Sequence, residues 1–432
     1  MCSPRCIAPS GSPRSSVLGG AIVRTTRLAA LGALVRSAGT VAMAPLNEFL
    51  ALSSQALHQP SSSTFLVVMG NEAGDPDSCA CAISMARLLA EEGAPGRVVV
   101  PVLSVSRADF ALQLDRLHLL RRAGLRGSGD GISWRPSDIA FMDEVDLEGL
   151  RSQNRLQLCL VDHNRLSSRF AGLAECVTHI VDHHEDEGAH MDLEETNRIV
   201  EFGIGSCSSL VTEQMRLRTA ALLSDGALCT LLLGAILLDT ANLTPEAKAQ
   251  KAREVELADT LLESAAPFLG LEPTKAGRDV FFNELLHVKT DVDSLLSFPT
   301  LDLLRQDYKC EELPASLVCG ISSIIIPARC LLQAKPDIWQ AIVRFSRQQK
   351  LALCILMCLN VATQQREIFI HAEDPTLLTS LVSHLQDGGL SLSKLEMESH
   401  SSKMDESILA FAQGNAKVSR KLLMPILRTF AG

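Results

Sequence analysis

The chain has no excess of positive charge. Forty Lys and Arg stand against fifty Asp and Glu in 432 residues, a net charge of -10. That balance excludes a protein whose main task is to grip nucleic-acid phosphates, while leaving room for a local basic pocket. Its thirteen cysteines include no CxxC pair and no regular spacing, so neither a zinc ribbon nor a disulfide framework is expected. Reduced thiols in a cytoplasmic protein are the simplest reading. No internal repeat is visible, and the longest nearly apolar run, 227–238, is too short to cross about 30 Å of hydrocarbon as a helix. No membrane span is expected. Asp, Glu and Lys are missing altogether from residues 1–47, where Arg5, Arg14, Arg24, Arg27 and Arg36 lie among many Ser and Ala residues. This is the composition of a mitochondrial transit peptide. The alternative is a poorly ordered extension before a second start at Met43, so 1–42 are read as an N-terminal extension whose role as an import signal would make the protein mitochondrial.

What is present describes a folded protein. Hydrophobic residues make up 47% and charged residues 21%, and the length calls for two domains. Thr64-Phe-Leu-Val-Val-Met69 is a β-branched and apolar run that breaks at Gly70, as a buried parallel strand does at its C-terminal end. Asp77 and Ser78 then cap a helical stretch over 79–92. Further strands are expected at 97–103, 156–161 and 179–181, and helices at 220–238 and 245–263. The alternation predicts a doubly wound, mostly parallel α/β domain over 43–290, with its site at the C-terminal ends of the strands. A polar, irregular linker is expected over 291–314. Short strands at 317–326, 342–344, 352–358 and 368–371 predict a smaller α+β domain over 315–432.

Acidic residues fall where these elements end: Asp75 and Asp77, Asp162 in Val161-Asp162-His163-Asn164, Asp182 in Val181-Asp182-His183-His184, and Asp239 in Leu237-Leu238-Asp239-Thr240. Alone, each reads as a helix cap or a loop carboxylate. Brought together at one sheet edge, they would repel one another and raise each other's pKa unless a cation neutralised them. Carboxylates with one or two imidazoles suit Mg²⁺ or Mn²⁺, and a carboxylate bridging two such ions is the usual device of phosphoryl hydrolysis. The expected reaction is cleavage of a phosphoanhydride or phosphoester.

These residues resemble the four motifs of the DHH phosphoesterase superfamily: Gly70-Asn-Glu-Ala-Gly-Asp-Pro-Asp-Ser78, Asp162-His163-Asn164, Asp182-His183-His184 and Asp239, in order. Downstream, Val288-Lys-Thr-Asp291, Leu304-Arg-Gln-Asp-Tyr-Lys309 and Gln413-Gly-Asn-Ala-Lys-Val-Ser-Arg-Lys421 resemble the DHHA2 type of domain. The combination is similar to family II inorganic pyrophosphatases and to the exopolyphosphatase/Prune group. Family II pyrophosphatases carry a metal-binding His at the position of Asn71, so Asn favours the Prune type and a harder, oxygen-dominated site that prefers Mg²⁺.

The resemblance implies two divalent ions, Mg²⁺ or Mn²⁺. Asp75 would hold one, Asp77 and His183 the other, and Asp162 and Asp239 both; Asp162 and His184 carry catalysis, with His184 on the phosphate side. It further implies that Lys289, Arg420 and Lys421 bind substrate phosphates, although Leu422 stands where the related pyrophosphatases have another Lys. Two domains around one site imply a closing cleft hinged near 290–314. The expected activity is removal of terminal phosphates from short inorganic polyphosphate. Inorganic pyrophosphatase or cyclic-nucleotide phosphodiesterase activity, or a regulatory protein-binding scaffold, stand as alternatives. A DHH nuclease is disfavoured by the acidic balance, so no nucleic-acid partner is expected. The chain stops eleven residues after Lys421, and no tail-mediated protein partner is expected. Cys354 and Cys358 read as buried small residues, and Gly203-Ile-Gly-Ser-Cys-Ser-Ser209 as either a phosphate loop or a helix cap.

Overall fold

The computed structural model describes residues 45–59, 62–130, 133–244, 252–395 and 405–431. The extension over 1–42 lies outside them. Among the described residues no helix is long and apolar enough to cross a membrane.

A first sheet is built from β1 (Thr64–Met69), β2 (Arg97–Leu103), β3 (Ala140–Phe141), β4 (Leu156–Val161), β5 (Val177–Asp182) and β6 (Arg198–Val200). Their order is β3-β2-β1-β4-β5-β6 and every pairing is parallel. In register, Val67 of β1 lies between Val100 and Leu158. Strands buried on both faces need continuous apolar runs, and Phe65 to Met69 are all within 1% of full burial. The connections reverse direction between β1 and β4, which opens a crevice at the carboxyl ends of those two strands.

Helix α1 (Leu46–Leu57) precedes β1, and α2 (Pro76–Glu92) follows it. Asp75 caps α2 by accepting the Ser78 N–H, and Pro76 fills the first helical position, where no N–H is needed. Next come α3 (Leu114–Arg122), α4 (Cys207–Arg218), α5 (Gly226–Asp239), α6 (Ala252–Leu269) and α7 (Lys275–Thr290). Helix α5 is apolar on all sides and buried from Leu228 to Leu237, so it forms the centre of this lobe rather than its surface.

The second sheet comprises β7 (Lys309–Leu313), β8 (Leu317–Ile324), β9 (Leu353–Asn360), β10 (Gln365–His371), β11 (Leu392–Lys394) and β12 (Ile408–Gln413), ordered β11-β12-β10-β9-β8-β7. Only β8 and β9 run parallel. Cys354 and Cys358 are buried on β9, and the described cysteines are all free thiols.

Four expectations are corrected here. Residues 342–344 belong to helix α8 (Ile338–Gln348), not to a strand: Ile338, Trp339, Ala341, Ile342 and Phe345 recur at helical spacing and bury one stripe, with the Trp339 ring edge-on to Phe369 at 5.2 Å. The segment 291–314 is ordered too. It holds the short helices Val292–Leu296 and Thr300–Leu303 and edge strand β7, and sinks Leu295, Phe298, Leu303 and Leu304 into the second core. Leu112 and Leu114 of the first lobe enter that same core. Helices 220–238 and 245–263 also begin later than expected, at Gly226 after a 3-10 turn and at Ala252, with 245–251 outside the described residues.

Leu232 on α5 is fully buried. Leu232→Ala is expected to cost about 2–5 kcal/mol, measured as a shift of the first transition in urea. A loss below about 1 kcal/mol would contradict the central role of α5.

Candidate metal and phosphate site

Asp162 ends β4 beside the chain reversal and has a left-handed backbone, φ 62°, a conformation Asp tolerates better than most residues. One of its oxygens, Oδ2, accepts Asn71 Nδ2 at 2.7 Å and Ser78 Oγ at 2.6 Å. The other, Oδ1, faces His183 Nε2 at 3.3 Å and His184 Nδ1 at 3.7 Å. Gly70 allows this close packing: a Cβ there would stand 2.5 Å from that of Ser78.

Asp77, on the first turn of α2, is 2% exposed and held by the loop before α4. Ser206 Oγ (2.8 Å), Cys207 N (2.7 Å), Ser208 N (2.9 Å) and Ser208 Oγ (2.5 Å) all donate to its carboxylate. The glycine- and serine-rich segment therefore caps α4 and clamps a carboxylate, so the amide-rich helix start faces Asp77. Behind the loop, Glu254 on α6 is fully buried and accepts Gly205 N (3.2 Å) and Ser209 Oγ (2.8 Å).

Asp182 is fully buried at the end of β5 and orients the histidines. Its Oδ1 accepts His183 N (2.8 Å), His184 N (3.2 Å) and His184 Nδ1 (2.8 Å), while Asn164 Nδ2 reaches Oδ2 at 2.6 Å. His183 Nδ1 lies 3.0 Å from the Ile204 carbonyl. As a donor there, it leaves Nε2 towards Asp162 and, at 3.9 Å, Asp77. Carboxylate or carbonyl partners on the far ring nitrogen are the usual support of a ligating imidazole.

The fields of these groups show that they converge. Burial pushes the Asp162 carboxyl up to about 7, and Asp75 and Asp77 add to the effect. Asp239 closes α5 with its side chain open to the crevice, and its carboxyl is raised well above the usual range by the enclosing protein and by Asp77, Asp75 and Asp162, with Lys289 opposing. The repulsion is the part that survives contact with water. Burial opposes charge on His183, but its contacts with Asp162 and Asp77 raise the imidazolium to about 10. Asp75 is lowered despite burial, through the Ser78 N–H and the charges of Arg116 and Lys421.

Ligand atoms of Asp162, His183 and His184 lie within 4.8 Å of one another. Four carboxylates and two supported imidazoles, with too few cations among them, fit divalent metal and are strained without it.

Of the expected phosphate-binding cations, Lys289 lies in the last turn of α7 within the field of Asp239, and Lys421 lies in the first turn of α9 (Arg420–Leu427) within the field of Asp75. Arg420 is already engaged by the Asp307 carbonyl and, at 2.7 Å, its Oδ1. Lys309 on β7 was not singled out from the sequence, yet it shares the fields of Arg420, Asp307, Asp75 and Lys421. It lay inside the quoted Leu304-to-Lys309 segment. Ser78, Ser206 and Ser208 likewise stood within recognised segments, whereas Glu254 carried no local signal.

Carboxylates and imidazoles at the carboxyl ends of parallel strands, with Lys289, Lys309 and Lys421 in their field, have the chemistry of a phosphohydrolase site. The model of the DHH family, N-terminal domain, matches residues 66–238, and that of the DHHA2 domain matches 283–430. Exopolyphosphatase PRUNE1 of Bos taurus is 31% identical over 369 residues, covering 84% of this chain and 74% of the bovine protein. Its Homo sapiens counterpart is 29% identical over 368 residues, with the same coverage. A Methanococcus jannaschii protein assigned to the family II inorganic pyrophosphatases shares the fold, with a TM-score of 0.51 at 19% identity over 84% of this chain and 98% of that one. The chain belongs to the DHH phosphoesterases of the exopolyphosphatase/Prune type, and it is a hydrolase of phosphoanhydrides.

Raised folded-state values for Asp162 and His183 stabilise the metal-free protein below their unfolded values of 3.8 and 6.5 and are lost as pH rises through about 7 and about 10. Asp75 and Asp182, which are lowered, act only on the acid side. The melting temperature of chelator-treated protein should therefore fall from about pH 5 to about pH 9, and Mg²⁺ or Mn²⁺ should restore more of it at the higher pH. A flat profile would contradict the site. Glu254→Ala, which frees the Gly205–Ser209 loop, should weaken Mn²⁺ binding roughly 10-fold by calorimetric titration.

Proposed function

We propose that the protein removes terminal phosphates from short inorganic polyphosphate at a site holding two divalent ions. The observation that carries this reading is Asp162: a buried carboxylate among Asp75, Asp77 and Asp239, with Oδ2 fixed by Asn71 and Ser78 and Oδ1 turned towards the histidines. In this reading Asp75 holds one ion, Asp77 and His183 the other, and Asp162 and Asp239 both. When bound, two divalent ions neutralise these carboxylates, lower the pKa of a water and polarise the attacked phosphoryl group.

The chain's own groups orient and stabilise the reaction. The Asp182 carboxylate engages His184 Nδ1, which leaves Nε2 to hydrogen-bond a phosphoryl oxygen or assist the departing chain. In-line attack breaks the bond to the bridging oxygen, and negative charge develops on the leaving phosphate. Lys309 and Lys421 of the second lobe share the field of Asp75, and Lys289 that of Asp239; with Arg420 they would meet that charge, and cations placed there are worth most as it appears. Arg420 is pre-oriented by Asp307. Asn71 in place of an imidazole supports Mg²⁺ as the working ion, because it supplies a hydrogen bond to Asp162 instead of a nitrogen ligand.

Phosphate release from pyrophosphate, tripolyphosphate and longer chains, with Mg²⁺ or Mn²⁺, tests the proposal. Tripolyphosphate is expected to exceed both pyrophosphate and long chains, and Asp162→Ala should lower kcat by at least about 10³-fold. Equal release by that variant would remove the mechanism, while a preference for pyrophosphate would make the protein a pyrophosphatase.

A further inference from the structure

Four arginines are buried among the described residues: Arg87, Arg116, Arg278 and Arg420. Three have a carboxylate within ion-pair distance: Glu91 at 2.5 Å, Asp259 at 3.4 Å and Asp307 at 2.7 Å respectively. Arg116 has none. It is 6% exposed, its Nε is sealed from solvent without a partner, and its guanidinium makes no hydrogen bond or ion pair to any described residue. Its backbone N–H donates to Asp115 Oδ1 at 2.9 Å. A guanidinium carries five donors and cannot shed its proton, so burying it unpaired is costly unless something else completes it.

Its position says what that is. Helix α3 packs against α2, whose cap is Asp75, and the chain just before α3 is pinned to the second lobe: Arg305 Nη2 meets Asp109 at 2.8 Å and Gln306 Nε2 reaches the Leu112 carbonyl at 3.3 Å. Arg116 thus stands at the junction where both lobes border the crevice, on the Asp75 side that Lys309 and Lys421 face. Asp75 feels its charge, which helps to lower that carboxyl. Once Asp75 serves a divalent ion, that compensation is spent and the buried guanidinium needs an anion.

We infer that Arg116 is a substrate-binding residue of the first lobe, its guanidinium fork taking non-bridging oxygens of the phosphoryl group next to the one attacked. This rests on the proposed phosphoanhydride reading and extends it. The second lobe's cations then approach the same phosphate from across the crevice, and Arg supplies two parallel donors where Lys would supply one charge.

Arg116→Met, which keeps the volume and removes the donors, and Arg116→Lys, which keeps the charge, test this with two readouts. These are KM for tripolyphosphate and calorimetric affinity for the non-hydrolysable imidodiphosphate, each at saturating Mg²⁺. Arg116→Met should raise KM and weaken imidodiphosphate roughly 10- to 100-fold, with Mn²⁺ affinity in the absence of phosphate changed less than about threefold. Arg116→Lys should fall between wild type and Arg116→Met. Should Arg116→Met fail to fold, a fully wild-type Arg116→Lys overturns the inference by itself. It is overturned equally if Arg116→Met binds imidodiphosphate normally, or if its loss of Mn²⁺ affinity matches its loss of imidodiphosphate, which would make Arg116 a positioning residue for Asp75. Wild-type protein that binds imidodiphosphate but releases no phosphate would sink the hydrolase reading alone, and one that binds none would sink both.

Discussion

Repulsion among carboxylates gathered at one sheet edge is the constraint around which the first lobe is organised. Asp75, Asp77, Asp162 and Asp239 come from three separate strand-to-helix and helix-end positions, and the burial and neighbouring carboxylates they bring push the Asp162 and Asp239 carboxyls up. The surrounding structure answers with donors that hold each group in place without neutralising it. Asp77 sits in the amides and hydroxyls that open α4, Asp162 takes the Asn71 amide and the Ser78 hydroxyl, and Asp182 fixes the histidine pair from behind. What remains unsatisfied is charge, which the proposed divalent ions would supply.

That arrangement explains the division of labour between the lobes. The first gathers anions where its parallel strands end. The second, built on a mixed sheet, carries Lys309 and Lys421 within the field of Asp75. The two are joined by more than a tether: Arg305 bridges Asp109 and Asp302, and Leu112 and Leu114 share a core with Leu303 and Leu304.

Much of this was legible beforehand, for reasons that differ by element. Strands β1, β2 and β4 are short, largely buried and mostly apolar runs ended by Gly70, Ser104 or Asp162, so composition alone marked them. Residues 342–344 misled because three residues of a steeply amphipathic helix look like a strand when its stripe is not followed from Ile338 to Phe345. The segment 291–314 misled because a few anchors, such as Phe298 and Leu303, outweigh its polar majority once a partner core exists. The two- and three-residue strands β3 and β6 carry no periodicity at all.

The chain order of Asp75, Asp77, Asp162, the His183-His184 pair and Asp239, each within a few residues of the end of an apolar element, is a local property, and the sequence by itself therefore determined the family, the chemistry and the principal candidate ligands. Only the tertiary structure decided what Ser206, Ser208 and Glu254 hold in place, and that Lys309 shares the field of Asp75 and Arg116 is buried without an ion-pair partner among the described residues. A hydroxyl, a buried carboxylate or a cation acquires its role from what it faces, and those partners lie on other helices, other strands or the other lobe, where no spacing along the chain records them.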